Sequence, residues 1–520
     1  MSAASQPWAS RPVTLSEAEK LIEQLQQKLQ VAELRVLVLE ERLRLRRIEK
    51  YGAGSEKLSN FQLEMLEQEP GVSRAEVQAE SERPVLEGDI IEVAGYQRKP
   101  RRPHPGRQTL PAELPRVEKV VAGTAEQCVC NRCGQATTVI GYEESEQLEV
   151  EPAKYFVLVT KREKRTCTCC KGARIVSAPL PMRIIERGLV SDRVVIDTII
   201  RKYCDHLPLY RQSVILDRES GVDISRATLD GWVMQVGEML RPLVVVMGRE
   251  LVQSRYLQAD ETPVEVQMHD GRGKNHQAYL WQYGRPGGAT VFDFRLGRDR
   301  AGPKQFLQNF HGILQTDAYA AYDKVGGSGM VHAGCWTHAR RGFANVVKLN
   351  PGDPVAGPIV ARINELFAVD AEAREQGLNV ESRHRLRREK APELLEKIKA
   401  AIAAAKAGAL PGGALENACE YALGIWPRLT CFLEYPELEL SNNLIENSMR
   451  PITLGRKNWI HIGSPEAGSK VAAILSVIET CRRLKISARD YLSSVLPGLA
   501  GMRLHRLAAL TPTAWATQHQ

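Results

Sequence analysis

The sequence predicts a multidomain α+β protein whose α/β core is split by a helical insertion. Three observations carry that prediction. Residues 14–50 repeat apolar side chains every seven positions, two cysteine pairs enclose strand-like runs within 117–180, and from residue 255 the apolar period changes from helical to alternating. Three carboxylates stand out in the later region: Asp260 in RYLQADETPVEVQ, Asp317 in HGILQTDAYAAYD and Glu446 in SNNLIENSMRPITLGRKNW. The first two close short apolar runs that read as strands, and the third lies in an amide-rich stretch that reads as a helix. Converging acids of this kind can hold two divalent cations about 3.5–4 Å apart, a site that cuts and joins phosphodiesters. With 62 acidic residues in the chain, no single acid would carry that reading without its surroundings.

Bulk composition sets the frame. A chain of 520 residues holds about three domains at ~150 residues each. The N-terminus MSAASQPWASRP lacks the apolar segment of a signal peptide, and no run of ~18 apolar residues is long enough to span a membrane. The expectation is a cytoplasmic protein without a membrane partner, nucleoid-associated if it works on DNA. Eleven cysteines in that compartment indicate metal binding or free thiols rather than a disulfide framework. A net charge of +8 permits a polyanionic partner without requiring one.

Leu15, Ile22, Leu29, Val36 and Leu43 fall at every seventh position, with Ala18, Leu25, Ala32 and Leu39 between them. This heptad predicts a coiled coil over 14–50. Lys28 and Arg35 then face Glu33 and Glu40 across a parallel pair of helices, which predicts a homodimer or higher assembly. The alternative is a long amphipathic helix packed on its own protein. Residues 51–116 form a linker, and within it QRKPRRPHPGRQ carries Lys, Arg or His at six of twelve positions. It reads as a basic arm that follows phosphates or as a solvated tether.

Residues 117–180 read as a zinc ribbon-like domain. Cys130-Asn-Arg-Cys133 is one knuckle and Cys167-Thr-Cys169-Cys170 the other, with 33 residues between them. Four thiolates satisfy the tetrahedral shell of a structural Zn²⁺, and the favoured set is Cys130, Cys133, Cys167 and Cys170, with Cys128 and Cys169 as spares. Residues 181–248 predict three helices, SDRVVIDTIIRKYC, LPLYRQSVILDRE and ISRATLDGWVMQVGEML. The turn GVDIS between the last two gives a helix-turn-helix module, with Arg226 as a candidate DNA contact.

Residues 249–350 predict the first part of the core: three strands, the short helix GPKQFLQNF, the strand HGILQTD, and GCWTHARRGFANVVKL passing from strand to helix. That order matches a ribonuclease H-like core, in which acids on the first and fourth strands are neighbours. Residues 351–440 predict a helical insertion, so 129 positions (446 minus 317) separate Asp317 from Glu446. The core resumes over 441–482. On its helix Glu446 shares a face with Asn442, Asn443 and Arg450. Pro451 is expected to end or kink that helix, and Arg450, Arg456 and Lys457 offer cations for phosphates. Residues 483–520 read as a C-terminal helical segment.

Taken in order, SEKL (55–58), CNRCG (130–134), DHLPLYRQ (205–212), SRATLDGWV (225–233), ADETP (259–263), TDAYAAYD (316–323), GCWTHARRGF (334–343) and NNLIENSMRPITLGRKNW (442–459) resemble the IS66 family of bacterial insertion-sequence transposases. The resemblance covers most of the chain. It implies a DDE-type transposase with Asp260, Asp317 and Glu446 as the triad, holding Mg²⁺ or Mn²⁺, and it selects Glu446 over Glu434, Glu437 or Glu439. It implies cleavage at the 3′ ends of the element, joining to target DNA, double-stranded DNA as partner, and accessory proteins from the same element. Cys335-Trp-Thr-His338 resembles a signature carried by several DDE families, which implies a supporting role; a buried Cys and a core His is the alternative. The rival functions are a DNA-binding regulator whose acids are structural, a ribonuclease H-like nuclease that cuts without joining, and a coiled-coil assembly protein.

Overall fold

The computed structural model describes residues 15–51, 154–165, 176–179 and, apart from positions 187, 272 and 351, 181–519. Between residues 116 and 136 it describes six single positions. Cys130, Cys133, Cys167, Cys170 and the basic arm lie outside the described residues. The chain divides into two compact units, 86–157 and the remainder.

The apolar heptad forms one helix, α1 (Leu15–Tyr51). Its seam is uncovered: Ile22, Leu25, Leu29, Val36, Leu39 and Leu43 are 52–63% exposed. Lys164–Arg165 (β1) and Val176–Ser177 (β2) make a small antiparallel pair. The helical module follows as α2 (Asp192–Tyr203), α3 (Leu209–Ser220) and α4 (Arg226–Leu251). Gly221 ends α3 in the left-handed conformation (φ 67°), where a residue without Cβ carries no steric penalty. Ser225 caps α4 by accepting from Thr228 N at 3.2 Å.

The alternating segments become β3 (Tyr256–Val266), β4 (His276–Gly284) and β5 (Thr290–Arg295), an antiparallel meander. After α5 (Ala301–Leu307), the strands β6 (Ile313–Gln315) and β7 (Val331–Ala333) add in parallel on the other side of β3. The sheet order is β5-β4-β3-β6-β7. The last of these strands lies just before GCWTHARRGF rather than inside it. In that motif Cys335 is already the N-cap of α6 (Trp336–Leu349), because the apolar spacing of Trp336, Ala339, Phe343 and Val346 is helical.

The insertion comprises α7 (Ala356–Glu375), α8 (Val380–Ala407), α9 (Ala414–Gly424) and α10 (Trp426–Thr430). Its core unites Ile359, Ile363, Phe367, Leu395 and Ile402 with Trp336 and Phe343 of α6. Inside it, Arg387 grips Asp370 through two bonds of 2.6 Å. Burial opposes ionisation of Asp370, yet Arg387, Arg383 and Arg374 hold its carboxyl below the usual range.

The chain returns to the sheet through α11 (Asn443–Trp459), β8 (His461–Ile462, parallel to the end of β3) and α12 (Pro465–Arg483). Of the end or kink expected at Pro451, the end does not occur, since α11 runs on to Trp459. A mid-helix proline costs ~3 kcal/mol. Five buried residues of one face (Leu444, Ile445, Met449, Ile452 and Gly455) offset that cost against the sheet. On α12, Ser476 and Thr480 bond the outer edge of β5: Phe292 N donates to Ser476 Oγ (2.8 Å) and Thr290 N to Thr480 Oγ1 (3.1 Å). The edge strand thus has its backbone groups satisfied by a helix. The close approach needs glycine, because a Cβ on Gly468 would stand 2.2 Å from the Phe294 ring. The C-terminal segment forms α13 (Ala488–Val495) and α14 (Pro512–His519), joined by short 3₁₀ turns. Among the described residues no helix is long and apolar enough to cross a membrane.

Candidate active site

Asp260 and Asp317 stand at one level of the sheet. In the parallel β3–β6 ladder, Tyr256 faces Ile313 and Gln258 faces Gln315. Continuing that register by two residues on each strand brings Asp260 opposite Asp317. Because strand side chains alternate, Gln258 shares a face with Asp260, and Gln315 lies two residues before Asp317.

Those two fully buried glutamines tie down the segment that leads to the third acid. Gln258 Nε2 donates to Gln315 Oε1 (3.0 Å) and to Ser441 O (2.9 Å). Gln315 Nε2 donates to Gly334 O (3.0 Å) and Glu439 O (2.7 Å), and Tyr256 OH donates to Gln315 Oε1 (2.6 Å). From the other side, Trp336 N donates to Leu440 O (2.9 Å), Asn442 N to Cys335 Sγ (3.4 Å) and Arg387 Nη1 to Leu438 O (2.6 Å). Arg374 and Arg383 bind the Glu439 carboxylate at 2.7 and 2.8 Å. Residues 438–442 are therefore a strap clamped by the sheet, by α6 and by the insertion.

The strap ends at Asn442, the N-cap of α11, and Glu446 sits in the first turn of that helix. A carboxylate there is favoured by the helix dipole. The side chains of His338 and Arg341, three positions apart on α6, both face Glu446: His338 Nδ1 is 3.6 Å from Oε1 and Arg341 Nη2 is 3.4 Å from Oε2. Burial disfavours the charged imidazole, but Cys335 and Glu446 together hold His338 above its ordinary value.

Asp260 feels the whole neighbourhood. Burial first, then the carboxylates of Glu446, Glu261 and Asp317, push it up to about 8. Its Oδ1 accepts from Glu261 N at 2.9 Å. Asp317 Oδ1 accepts from Tyr319 N at 2.8 Å, and Ala318 between them takes φ 64°. A non-glycine residue held left-handed immediately after an acid is the kind of backbone strain that functional sites retain. Tyr421 of α9 donates to Asp317 O at 2.6 Å, so the insertion touches the second acid as well.

Several buried polar atoms here have no hydrogen-bond partner within the protein: Asn442 Oδ1 and Nδ2 and Asn447 Nδ2, while Glu446 Oε1 and His338 Nδ1 meet only each other, at 3.6 Å. Each such atom costs about 1–3 kcal/mol, so a cluster of them marks a place for something other than protein. Oxygen donors with a raised acid among them suit a hard divalent cation. The carboxylates are turned toward protein groups, and among the described residues no three His, Cys, Asp or Glu converge tightly enough to hold a metal ion. Closing the set requires side-chain rotation.

The structure thus brings together Asp260, Asp317, Glu446, Cys335 and His338. Asn443 and the half-buried Arg450 lie on α11, at its start and one turn beyond Glu446. Arg456 Nη1 donates to Pro263 O and Thr262 Oγ1, clamping β3, while Lys457 beside it is exposed. Arg226 is the exposed first residue of α4, in the helical module. Sequence reasoning missed Gln258, Gln315 and Arg341. Their signals were present: both acid-bearing strands read Gln-x-Asp, and Arg341 follows His338 at helical spacing. Glu439, once an alternative third acid, is neutralised by its two arginines.

Comparison with known proteins gives three family matches. A model described as transposase IS66 family matches residues 187–470. The zinc-finger binding domain of transposase IS66 matches 127–171, a span that includes all four favoured cysteines, and transposase C of IS166 homeodomain matches 38–118. Among curated proteins, the uncharacterized protein y4qI of Sinorhizobium fredii (strain NBRC 101917 / NGR234) is 31% identical, covering 82% of this chain and 80% of its own. The uncharacterized protein y4jD of the same strain is 29% identical, covering 89% of this chain and 92% of its own.

Proposed function

Because the chain belongs to the IS66 transposase family, we propose that Asp260, Asp317 and Glu446 are its catalytic triad and that it cleaves the 3′ ends of an insertion sequence and joins them to target DNA. The observation that carries the reading is the nearness of Asp260 on β3 to Asp317 just past the end of the adjacent parallel β6, with Glu446 delivered beside them by a clamped strap. The strand order, an antiparallel meander continued by two parallel strands, supports a ribonuclease H-like core.

Asp260, Asp317 and Glu446 would hold Mg²⁺ or Mn²⁺. When bound, a pair of such ions supplies Lewis acidity and charge neutralisation at a phosphodiester undergoing in-line displacement. The chain's own residues do the positioning. Asp260 projects from within β3 and Asp317 from the bend just past β6, and the β3–β6 ladder ties the two segments together. Glu446 is held from one side by the helix dipole and from the other by His338 and Arg341. Cys335 anchors the start of the helix that carries His338, which gives the CxxH motif a positioning role. Arg450 and Lys457 on α11 are proposed contacts for the DNA backbone, with Arg456 bracing β3 beneath them.

The outlying modules aim this chemistry. The zinc-finger match supports a Zn²⁺ held by Cys130, Cys133, Cys167 and Cys170. Helix α4, with Arg226 at its start, suits the second helix of a helix-turn-helix. The open seam of α1 suits a parallel coiled coil with a second copy. The deciding experiment offers the chain a duplex ending in the element's terminal repeat, together with Mn²⁺ and a target plasmid. Joined products support transposition. Nicked ends without joining would leave the nuclease reading, and binding alone the regulator reading.

A further inference from the structure

A fourth carboxylate, Glu261, follows Asp260 on β3 but is committed elsewhere. Its side chain is 1% exposed. Arg298 donates to its Oε1 through both Nε and Nη2, and Tyr322 OH donates to Oε2 at 2.8 Å. Arg298 comes from the segment after β5. Its guanidinium lies 4.1 Å from the centroid of the Tyr319 ring, and Tyr319 OH donates back to Arg298 O at 2.9 Å. Tyr319 N in turn holds Asp317 Oδ1. A closed circuit therefore runs from the strand of Asp260 through Glu261, Arg298 and Tyr319 to Asp317.

Arg298 is not consumed by this circuit. Its side chain is 43% exposed, and Nη1 carries none of these bonds. We propose that Arg298 is a phosphate-contacting residue, its free edge binding a non-bridging oxygen of the DNA strand engaged at the carboxylates, with Glu261 and Tyr319 as positioning residues.

Two arguments carry the assignment. First, ions held by Asp260, Asp317 and Glu446 would act at the reacting phosphate, and a cation fixed at their edge would orient the strand that carries it. Arg298 sits beside Asp317 and Glu261 and is bonded to the residue next to Asp260. Second, the arrangement would be wasteful as a mere ion pair. Desolvating the 1% exposed Glu261 carries a penalty that its pairing with Arg298 need not repay. Burying Glu261 next to Asp260 adds to the charge crowding of the first acid. A guanidinium bonded along one edge and stacked on a ring has lost its rotational freedom before DNA arrives. Its other edge points in a fixed direction and matches phosphate geometry.

The proposal rests on the DNA-cutting reading of the acids, and the test separates the two. Full-length Arg298→Ala, Arg298→Lys and Glu261→Gln proteins, checked for parental circular dichroism, are compared with the parent. The probe is a duplex oligonucleotide carrying the terminal repeat. Equilibrium binding is measured against salt without divalent ions, and single-turnover nicking is measured with Mn²⁺. Arg298→Ala should flatten the log K against log salt slope by about 0.9, the loss of one phosphate contact. It should slow nicking by about 10- to 100-fold. Arg298→Lys should keep the slope but not the nicking rate, because an ammonium cannot span Glu261 and phosphate together. Glu261→Gln should keep the slope and slow nicking less than Arg298→Ala. An unchanged slope in Arg298→Ala overturns the proposal, whether or not the parent nicks. A parent that fails to nick at all overturns the reading of the acids instead, and the slope still decides Arg298.

Discussion

Replacing Asp260 by Asn should make the metal-free protein more stable while abolishing its chemistry. An unfolded chain releases the Asp proton near pH ~3.9, whereas the folded site holds it to about 8. Between those values the folded protein binds more protons than the unfolded chain, so this group's contribution to stability falls as pH rises through the window. At pH ~7 the gap of ~3 units corresponds to at most ~4 kcal/mol. Asp260 keeps a small solvent-facing edge, and relaxation around it reduces the penalty to roughly 1–2 kcal/mol. Asn has the same shape, cannot ionise, and still offers Oδ1 to Glu261 N. Metal-free Asp260→Asn should therefore melt about 2–4 °C above the parent near pH 8, with the difference shrinking as pH falls toward the unfolded pKa of ~3.9 and levelling off below it, where the parent carboxyl is neutral in both states. Thermal melts across that pH range, run with and without Mn²⁺, give the comparison. Mn²⁺ should raise the parent melting temperature and leave the variant nearly unmoved. A variant less stable than the parent near pH 8, or one that still cleaves element ends, would refute the crowded-acid reasoning.

Four further outcomes follow from the clamps and modules. Gln315→Leu strips Gly334 O and Glu439 O of their donor and should cost about 2–4 kcal/mol in urea unfolding; parental stability would show that the strap is held by other means. Arg387→Met leaves the buried Asp370 without its hydrogen-bonded partner, a loss of about 3–5 kcal/mol, whereas Arg387→Met with Asp370→Leu should recover most of it. Leu25→Lys with Leu39→Lys should convert the assembly to monomers in sedimentation runs, and an unchanged sedimentation coefficient would exclude the α1 seam as the interface. Cys133→Ser should strip zinc from the purified chain, as read by elemental analysis, and full retention would redirect the ligand assignment to the spare cysteines.

The elements were legible where one period dominated. Alternation in β3, β4 and β5 and helical spacing in α2, α3 and α4 gave the element types. The helix does not end at Pro451, where a local rule ignores what the rest of a helix buries. The apolar face from Leu444 to Gly455 outweighs one lost hydrogen bond. The two aspartates were read as strand ends, but β3 runs six residues past Asp260 because Val264 and Val266 are buried beyond it, and Asp317 lies two residues past the end of β6. The strap could not be read from sequence. Its bonds join Gln258 to Ser441 and Gln315 to Glu439, separations of 183 and 124 positions, and no window-based pattern reports such pairings. The same limit hid Arg298, which meets Glu261 across 37 positions through a side-chain bond rather than through ladder register.

The long gap between the second and third acids costs the site less than its length suggests. Loop-closure entropy grows only logarithmically, so each doubling of a connection adds about 0.6 kcal/mol. What a catalytic carboxylate cannot tolerate is angular freedom, and a connection free to hinge at its end would give that freedom to Glu446. The chain removes it where the insertion rejoins the core. Arg387 bonds Leu438 O, Arg374 and Arg383 bond Glu439, Trp336 N bonds Leu440 O, Gln258 bonds Ser441 O, and Cys335 accepts from Asn442 N. Five consecutive residues are thus pinned, three by the core alone, one by the insertion, and Glu439 by both. The helix that begins at the next residue inherits its direction from them. The insertion is then more than tolerated length, because its buried ion pair anchors the arginine that fixes the first residue of the strap. Loosening Arg387 should therefore reach Glu446 without touching it. A destabilised Arg387→Met protein should lose nicking activity at temperatures where its circular dichroism is still that of the folded state.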